Sequence, residues 1–270
     1  SGEAAGAEEA YDALKEALGT EANVSFVGSM GLCYAEPLID VQIPGGSRVF
    51  YNNLGADEAP GVIAAHLKSG RADPDKALAW DGTERPEGLG AIPRLTELPT
   101  VEVQTRLATK LAGDIDPREM GQYIANGGYS ALDKALGDMA PASVLDEVKT
   151  SGLRGRGGAA FPTGVKWGFL APNPAPVKYV LCNCEEGDPG AFNDKGILES
   201  CPHTLLEGLI LAGYATNSSN GVIFIRQGHT LPIENSRKAV QDAYAAGLLG
   251  QNILGSDFSY DVEVALTGDS

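Results

Sequence analysis

The sequence predicts an α/β fold in two parts, from three observations. From Lys178 onward, strand-like and helix-like stretches alternate. Between residues 1 and 73 a helix, a strand, a hairpin and a second helix follow one another. The stretch 74–100 that follows is rich in Pro, Gly and charge with little periodicity, and so punctuates the chain.

In chain order, the front part holds a helix at about Glu8 to Leu18, a strand from Asn23 to Val27 and a turn through Gly28 to Gly31. Strands Leu38 to Ile43 and Arg48 to Tyr51 are joined by Pro44-Gly45-Gly46, the turn chemistry of a hairpin. A helix from Pro60 to Ser69 closes on Gly70. These elements make a domain over 1–73, followed by a linker over 74–112.

The second domain, 113–270, opens with helical patterns at Pro117 to Ala125, Tyr129 to Leu136 and Ala142 to Ser151, with Ser143 and Asp146 as start signals of the last. A Gly/Arg-rich loop runs to Gly164. Strand Lys178 to Cys184, helix Pro202 to Tyr214, strand Gly221 to Arg226, helix Ile233 to Ala246 and strand Tyr260 to Leu266 then predict a largely parallel sheet flanked by helices.

Composition narrows the function. At 270 residues and 43% hydrophobic the chain can bury a sizeable core. A net charge of −16, spread along the chain, argues against a nucleic-acid phosphate backbone as partner. No apolar run approaches the roughly 20 residues of a membrane helix, and the N-terminus lacks the order of a secretory signal, so a cytoplasmic location is expected. Cys33, Cys182, Cys184 and Cys201 form no CxxC pair, which fits a reducing compartment. Cys182 and Cys184 share one face of a strand and are expected as small buried hydrophobes, and no metal site is expected. His66, His203 and His229 are isolated; His203, after Pro202 at a helix start, fits capping or packing.

Chemistry concentrates in two segments. The first, Ser151 to Trp167, reads SGLRGRGGAAFPTGVKW. Gly152, Gly155, Gly157, Gly158 and Gly164 leave backbone N–H groups open to an anionic ligand, and Arg154, Arg156 and Lys166 add positive charge. The spacing fits neither the dinucleotide GxGxxG, since no strand precedes it, nor the P-loop. Phe161, Trp167 and Phe169 beside such a loop point to stacking on a flat ring rather than to a plain surface loop.

The second segment, Asn183 to Lys195, reads NCEEGDPGAFNDK and follows an apolar strand, at the end where ligands sit in open α/β sheets. Glu185, Glu186 and Asp188 crowd three carboxylates into one turn, where they can accept hydrogen bonds from ribose hydroxyls or a ring N–H; the bland alternative is a solvated acidic turn.

In order and spacing these two stretches, with LEGLILAGYA, AGLLGQNILGSDFSYDVEV and the preceding IDPREMGQYIANGGYSALDKAL, resemble the flavin-bearing NADH dehydrogenase subunit of respiratory complex I and its soluble relatives in hydrogenases and formate dehydrogenases. The resemblance implies a Rossmann-like domain holding FMN, with NAD(H) stacked over the flavin for hydride exchange and iron–sulfur partner subunits taking the electrons onward. It implies that Gly155, Arg156, Gly157, Gly158, Phe161 and Gly164 meet NAD(H), with Phe169 packing near its rings. The resemblance further implies that Lys166 neutralises charge at flavin and dinucleotide, that Asn183, Glu185 and Glu186 meet FMN, and that Asp188 stands near the nicotinamide.

VGSMGLCYAEPLIDVQIPGG is similar to the end of the thioredoxin-like [2Fe–2S] domain of the same enzymes, whose C-x3-C pair here keeps only Cys33, with Ser29 in the first position. Ser1-Gly2 stands where a cysteine of the other pair is expected. The front part is therefore expected to be a degenerate thioredoxin-like domain without its cluster. Ala160 takes the place of a glycine common in the loop, and the chain stops before the flavin loop and the four-cysteine [4Fe–4S] domain of the family, as a truncated piece of a longer protein does. The expected function is an NAD(H):FMN oxidoreductase (diaphorase) module of a multi-subunit electron-transfer complex. The rival is a non-catalytic scaffold paralogue or a nucleotide-binding regulatory module.

Overall fold

The computed structural model describes residues 2–268; Ser1, Asp269 and Ser270, on which expectations about the first cysteine pair and the chain end partly rest, lie outside. The chain divides between Lys110 and Leu111 into two compact units.

In the first unit, helices α1 (Ala7–Leu18) and α2 (Ala59–Ser69) pack on each other, and strands β1 (Ile39–Gln42), β2 (Arg48–Tyr51) and β3 (Ala77–Asp81) form an antiparallel sheet in that order. The core joins Leu14 and Leu18 of α1 and Ile63 of α2 to Val49, Tyr51 and Trp80 of the sheet. Apolar residues four apart on one helix face make that joint possible. Two expectations are corrected. Residues 23–27 join no ladder, and the expected linker 74–112 contains β3, which pairs with β2, and the short helix α3 (Pro99–Glu102). The Pro/Gly punctuation masked β3, because Trp80 is held from outside the strand: the Arg94 guanidinium lies 4.3 Å from its ring.

The second unit opens with helices α4 (Met120–Ala125), α5 (Ser130–Asp138), α6 (Pro141–Thr150) and α7 (Thr163–Leu170). Then β4 (Tyr179–Cys184), α8 (Asn193–Ser200), α9 (Pro202–Thr216), β5 (Asn220–Ile225), α10 (Thr230–Ala245) and β6 (Asp261–Leu266) alternate. The sheet is parallel in the order β4-β5-β6, with Tyr179 beside Asn220 and Asn220 beside Asp261. Sequential parallel strands joined by right-handed crossovers put their helices on one face. Accordingly Cys184, Ile223, Ile225 and Val262 are buried with Leu206 and Ile210 of α9 and Ala239 of α10, whereas Tyr179 and Leu181 on the other face are 60% and 58% exposed. Each fully buried Leu or Ile contributes about 1.5–3 kcal/mol.

Two devices lock this unit. Tyr260 is fully buried against Gly213 of α9 and Gly221 of β5, where an added Cβ would lie 2.3 Å and 2.6 Å from its ring atoms and hydroxyl. The buried Lys178 ammonium donates to the carbonyls of Leu170, Ala171 and Thr216, capping the C-terminal ends of α7 and α9 together.

Candidate functional site

The turn 185–192 leaves β4 at the C-terminal edge of the parallel sheet, and the structure gives its three carboxylates three different situations. Glu186, 9% exposed, accepts the backbone N–H groups of Asn193 and Asp194 on Oε1 and that of Lys195 on Oε2. It thereby caps α8 from seven residues upstream and satisfies most of its orphan amides. Glu185 bonds the Arg226 guanidinium at 2.9 Å, and its own N–H donates to Asn183 Oδ1 at 3.1 Å. Asp188 is exposed and, among the described residues, its side chain has no partner; only its carbonyl is used, by the Ala191 N–H.

Gly187 leaves room for this pair: a Cβ there would lie 2.4 Å from Arg226 Nη1 and 2.9 Å from Glu185 Oε1 and would push these side-chain ends aside. His229, at the N-cap position of α10 but without a capping hydrogen bond from its side chain, lies close to this cluster. Burial, then Lys195 and Arg226, hold its pKa below the usual imidazole range against the opposing pull of Glu186 and Glu185. Arg226 and His229 carried no signal in sequence as members of this turn, because β5 alone brings residues some 40 positions away to the same strand edge. Burial, then the nearby Glu186, raise the pKa of Asp194.

The glycine-rich segment is a closed loop. Its neck is joined by the Gly155 N–H to the Phe161 carbonyl at 2.9 Å and the Thr163 N–H to the Leu153 carbonyl at 2.8 Å. Arg154, Arg156 and Lys166 are all exposed, and the Arg154 guanidinium donates back to the Ala160 carbonyl at 3.0 Å. Gly157 and Gly158 have no neighbouring atom within 4 Å of an added Cβ, so their backbone is open to close approach. Gly158 and Ala160 both have positive φ, 98° and 50°. For alanine that conformation is strained by about 1–2 kcal/mol.

Gly164, expected among the cofactor contacts, is buried against α6: a Cβ would lie 2.6 Å from the Lys149 backbone nitrogen. Its absent side chain lets α7 lie on α6. Trp167 likewise turns inward, onto the cluster of Ala135, Val144, Leu145 and Ala215. The outward side of α7 shows Val165, Lys166 and Phe169, with the Phe169 and Phe161 rings 6.3 Å apart and both exposed. Phe192, at the end of the β4 turn, is exposed too. No hydrogen bond or ion pair joins loop and turn among the described residues.

Chemically, the arrangement offers open glycine amides, exposed cations, exposed aromatic rings and, of the turn's three carboxylates, Asp188 without a partner among the described residues. These suit a flat ring system carrying phosphates, the character of FMN and of NAD(H). Among the described residues no cluster of three or more His, Cys, Asp or Glu can hold a metal ion, and Cys182 and Cys184 lie with sulfurs 3.7 Å apart on the packed side of β4. No helix among the described residues is long and apolar enough to cross a membrane.

Comparison with known proteins bears on residues 148–269, which match the family described as the Nuo51 FMN-binding domain. The chain is 48% identical over 165 residues to the NADP-reducing hydrogenase subunit HndC of Solidesulfovibrio fructosivorans, covering 61% of this chain and 33% of that protein. It is 42% identical over 177 residues to an NADH-quinone oxidoreductase subunit of Aquifex aeolicus, covering 65% and 40%. To the counterpart of that subunit in Escherichia coli it is 36% identical over 159 residues, covering 58% and 36%. The aligned part thus spans between a third and two fifths of these relatives' length.

Proposed function

Residues 148–269 belong to the flavin-bearing NADH dehydrogenase subunit family, and from that we propose that the chain is an NAD(H):FMN oxidoreductase module of a multi-subunit, cytoplasmic electron-transfer complex. When bound, FMN supplies hydride acceptance from a nicotinamide and single-electron release toward iron–sulfur clusters of partner subunits. The relatives' names, a hydrogenase subunit and quinone-reductase subunits, support a complex of this kind.

This chain's own residues do the binding and orienting. Gly157 and Gly158 present amides to phosphate while Gly155 closes the loop neck, Arg156 and Lys166 add charge, and Phe161 and Phe169 offer rings to stack on. Asn183 and Glu185 stand at the sheet edge toward the flavin. Glu186 acts indirectly, by holding the turn on α8, and Asp188 is the carboxylate left to meet the dinucleotide. The observation that carries the proposal is this division of labour at the β4 turn: two carboxylates are engaged by the protein and one is presented to solvent at the ligand-binding edge.

We further propose that the first unit is a thioredoxin-like domain that has lost its cluster. Ser29, at the first position of the expected cysteine pair, donates to Glu36 Oε1 at 2.7 Å, an ordinary structural role for a serine.

The test is an absorbance spectrum of the native complex containing the chain, before and after NADH under anaerobic conditions. Flavin bands near roughly 370 and about 450 nm that bleach with NADH are expected. A cofactor-supplemented, full-length preparation without them would overturn the proposal in favour of a scaffold; NADH binding without a chromophore would indicate a regulatory nucleotide module.

A further inference from the structure

Arg226 sits at the C-terminal end of β5, one residue past the strand, and reaches across to Glu185, one residue past β4. The two are 30% and 32% exposed, so water screens their attraction and the pair adds little to stability. It nonetheless ties the ends of β4 and β5 together beside the turn, and a Cβ added at Gly187 would have to push the Arg226 and Glu185 side-chain ends aside. A contact that contributes little stability yet spans the edge of the sheet where ligands bind calls for a reason other than folding.

Without Arg226, the Glu185 side chain would be free to sample several rotamers at the strand end. Its other tie is through the backbone, from its N–H to Asn183 Oδ1, and does not direct the carboxylate. Among the described residues no other basic side chain bonds the Glu185 carboxylate, and the His229 ring makes no hydrogen bond through its buried Nδ1.

We infer that Arg226 is a positioning residue of the flavin site, acting through Glu185 by fixing the direction of that carboxylate and offsetting its charge beside the cofactor. This rests on the oxidoreductase reading above. An unpaired carboxylate at that place disfavours electron density arriving on the ring, so losing Arg226 lowers the flavin reduction potential as well as weakening flavin binding.

The experiment compares Arg226→Gln, Arg226→Lys, Glu185→Gln and the Arg226→Gln/Glu185→Gln double variant in the full-length protein within its complex. Flavin dissociation constant, flavin midpoint potential and melting temperature are measured for each. Arg226→Gln is expected to raise the flavin dissociation constant about tenfold and to make the potential more negative. Arg226→Lys recovers the affinity to within about threefold of the parent, because a single contact rather than a fork is made. The double variant is no worse than Glu185→Gln alone, since Arg226 acts through that carboxylate. Unchanged flavin affinity and potential in Arg226→Gln, a fall in melting temperature alone, or effects that simply add in the double variant would each overturn the inference while leaving the oxidoreductase reading intact. A parent complex without flavin would overturn both.

Discussion

Glu207 Oε2 accepts the backbone N–H of Tyr129, 78 residues away in sequence, at 2.9 Å, and the Tyr123 hydroxyl donates to the same oxygen at 2.6 Å. With Oε1 accepting the Leu132 N–H at 3.2 Å, this buried carboxylate on α9 caps α5 and holds the segment before α6 to the core. Glu207→Ala removes every acceptor at once and leaves the α5 amides and a tyrosine hydroxyl unsatisfied. It is expected to cost about 3–5 kcal/mol. Glu207→Gln, which keeps the shape, should cost less than half of that. Denaturant unfolding of the two variants checks the order; equal costs would show that the charge of the carboxylate, and not the shape that glutamine keeps, carries the contact.

His203 belongs to the same network. Its ring stacks on Tyr123 and shares a 2.8 Å hydrogen bond with the Tyr129 hydroxyl, while its Nε2 is buried without a partner. Burial pushes its pKa down to about 4, with Asp242 opposing and Lys238 assisting. The folded-state value lies below the unfolded value of about 6.5, so the unfolded chain takes up the proton first. The stabilisation is full above pH ~6.5 and is lost as pH falls toward ~4, a loss on the order of 3 kcal/mol. Unfolding free energies between pH 7 and 4 should therefore fall less steeply in His203→Gln than in the parent. Parallel pH profiles would remove His203 as the cause.

These contacts mark where sequence reading runs out. The strands at Tyr179, Asn220 and Asp261 were legible because buried parallel strands are short apolar runs between glycines and helices. α8 was not, because its cap is not the residue before it but Glu186, inside what looks like an acidic turn. Residues 23–27 have a strand's alternation but no partner strand, and alternation alone forms no ladder. At the site, the glycine loop and the carboxylate turn were visible as composition. Which glycine serves packing, as Gly164 does, and which carboxylate is engaged, as Glu185 and Glu186 are, depends on Lys149, Arg226 and α8, all supplied by tertiary structure.

Glycines of the loop should separate by role. Gly164→Ala places a methyl 2.6 Å from the Lys149 backbone and should lower stability by about 1–3 kcal/mol, despite alanine's better helix propensity. Gly157→Ala meets open space and should leave the melting temperature within about 2 °C. Under the proposed function it should still weaken NAD(H) binding, by narrowing the approach to the backbone. Melting curves paired with NADH titrations decide the matter, and a Gly164→Ala variant as stable as the parent would show that the two helices can separate freely.

Ala160 is held at φ 50° and its carbonyl is the acceptor for Arg154, so the strain is kept by the loop closure. Ala160→Gly relieves a left-handed cost of about 1–2 kcal/mol and loses part of it to the greater freedom of glycine in the unfolded chain. A net gain of about 0.5–1 kcal/mol is expected. A calorimetric scan showing destabilisation instead would mean that the alanine methyl makes a contact worth more than the strain.

The turn after β4 supplies the sharpest separation of binding from folding. Asp188 is exposed and unengaged, so Asp188→Asn should change stability by no more than about 0.5 kcal/mol. If it meets the dinucleotide as proposed, KM for NADH rises about tenfold with kcat within about twofold, the pattern of an interaction made equally in ground and transition states. Glu186→Gln should do the reverse. It weakens the acceptors for three amides of α8 and should cost about 2 kcal/mol of stability, with KM rising only as far as the turn loosens. Steady-state NADH oxidation and denaturant unfolding of both variants make the comparison. Asp188→Asn with an unchanged KM, together with a raised KM in a fully stable Glu186→Gln, would transfer the binding role to Glu186 and require its carboxylate to leave α8 when the ligand arrives.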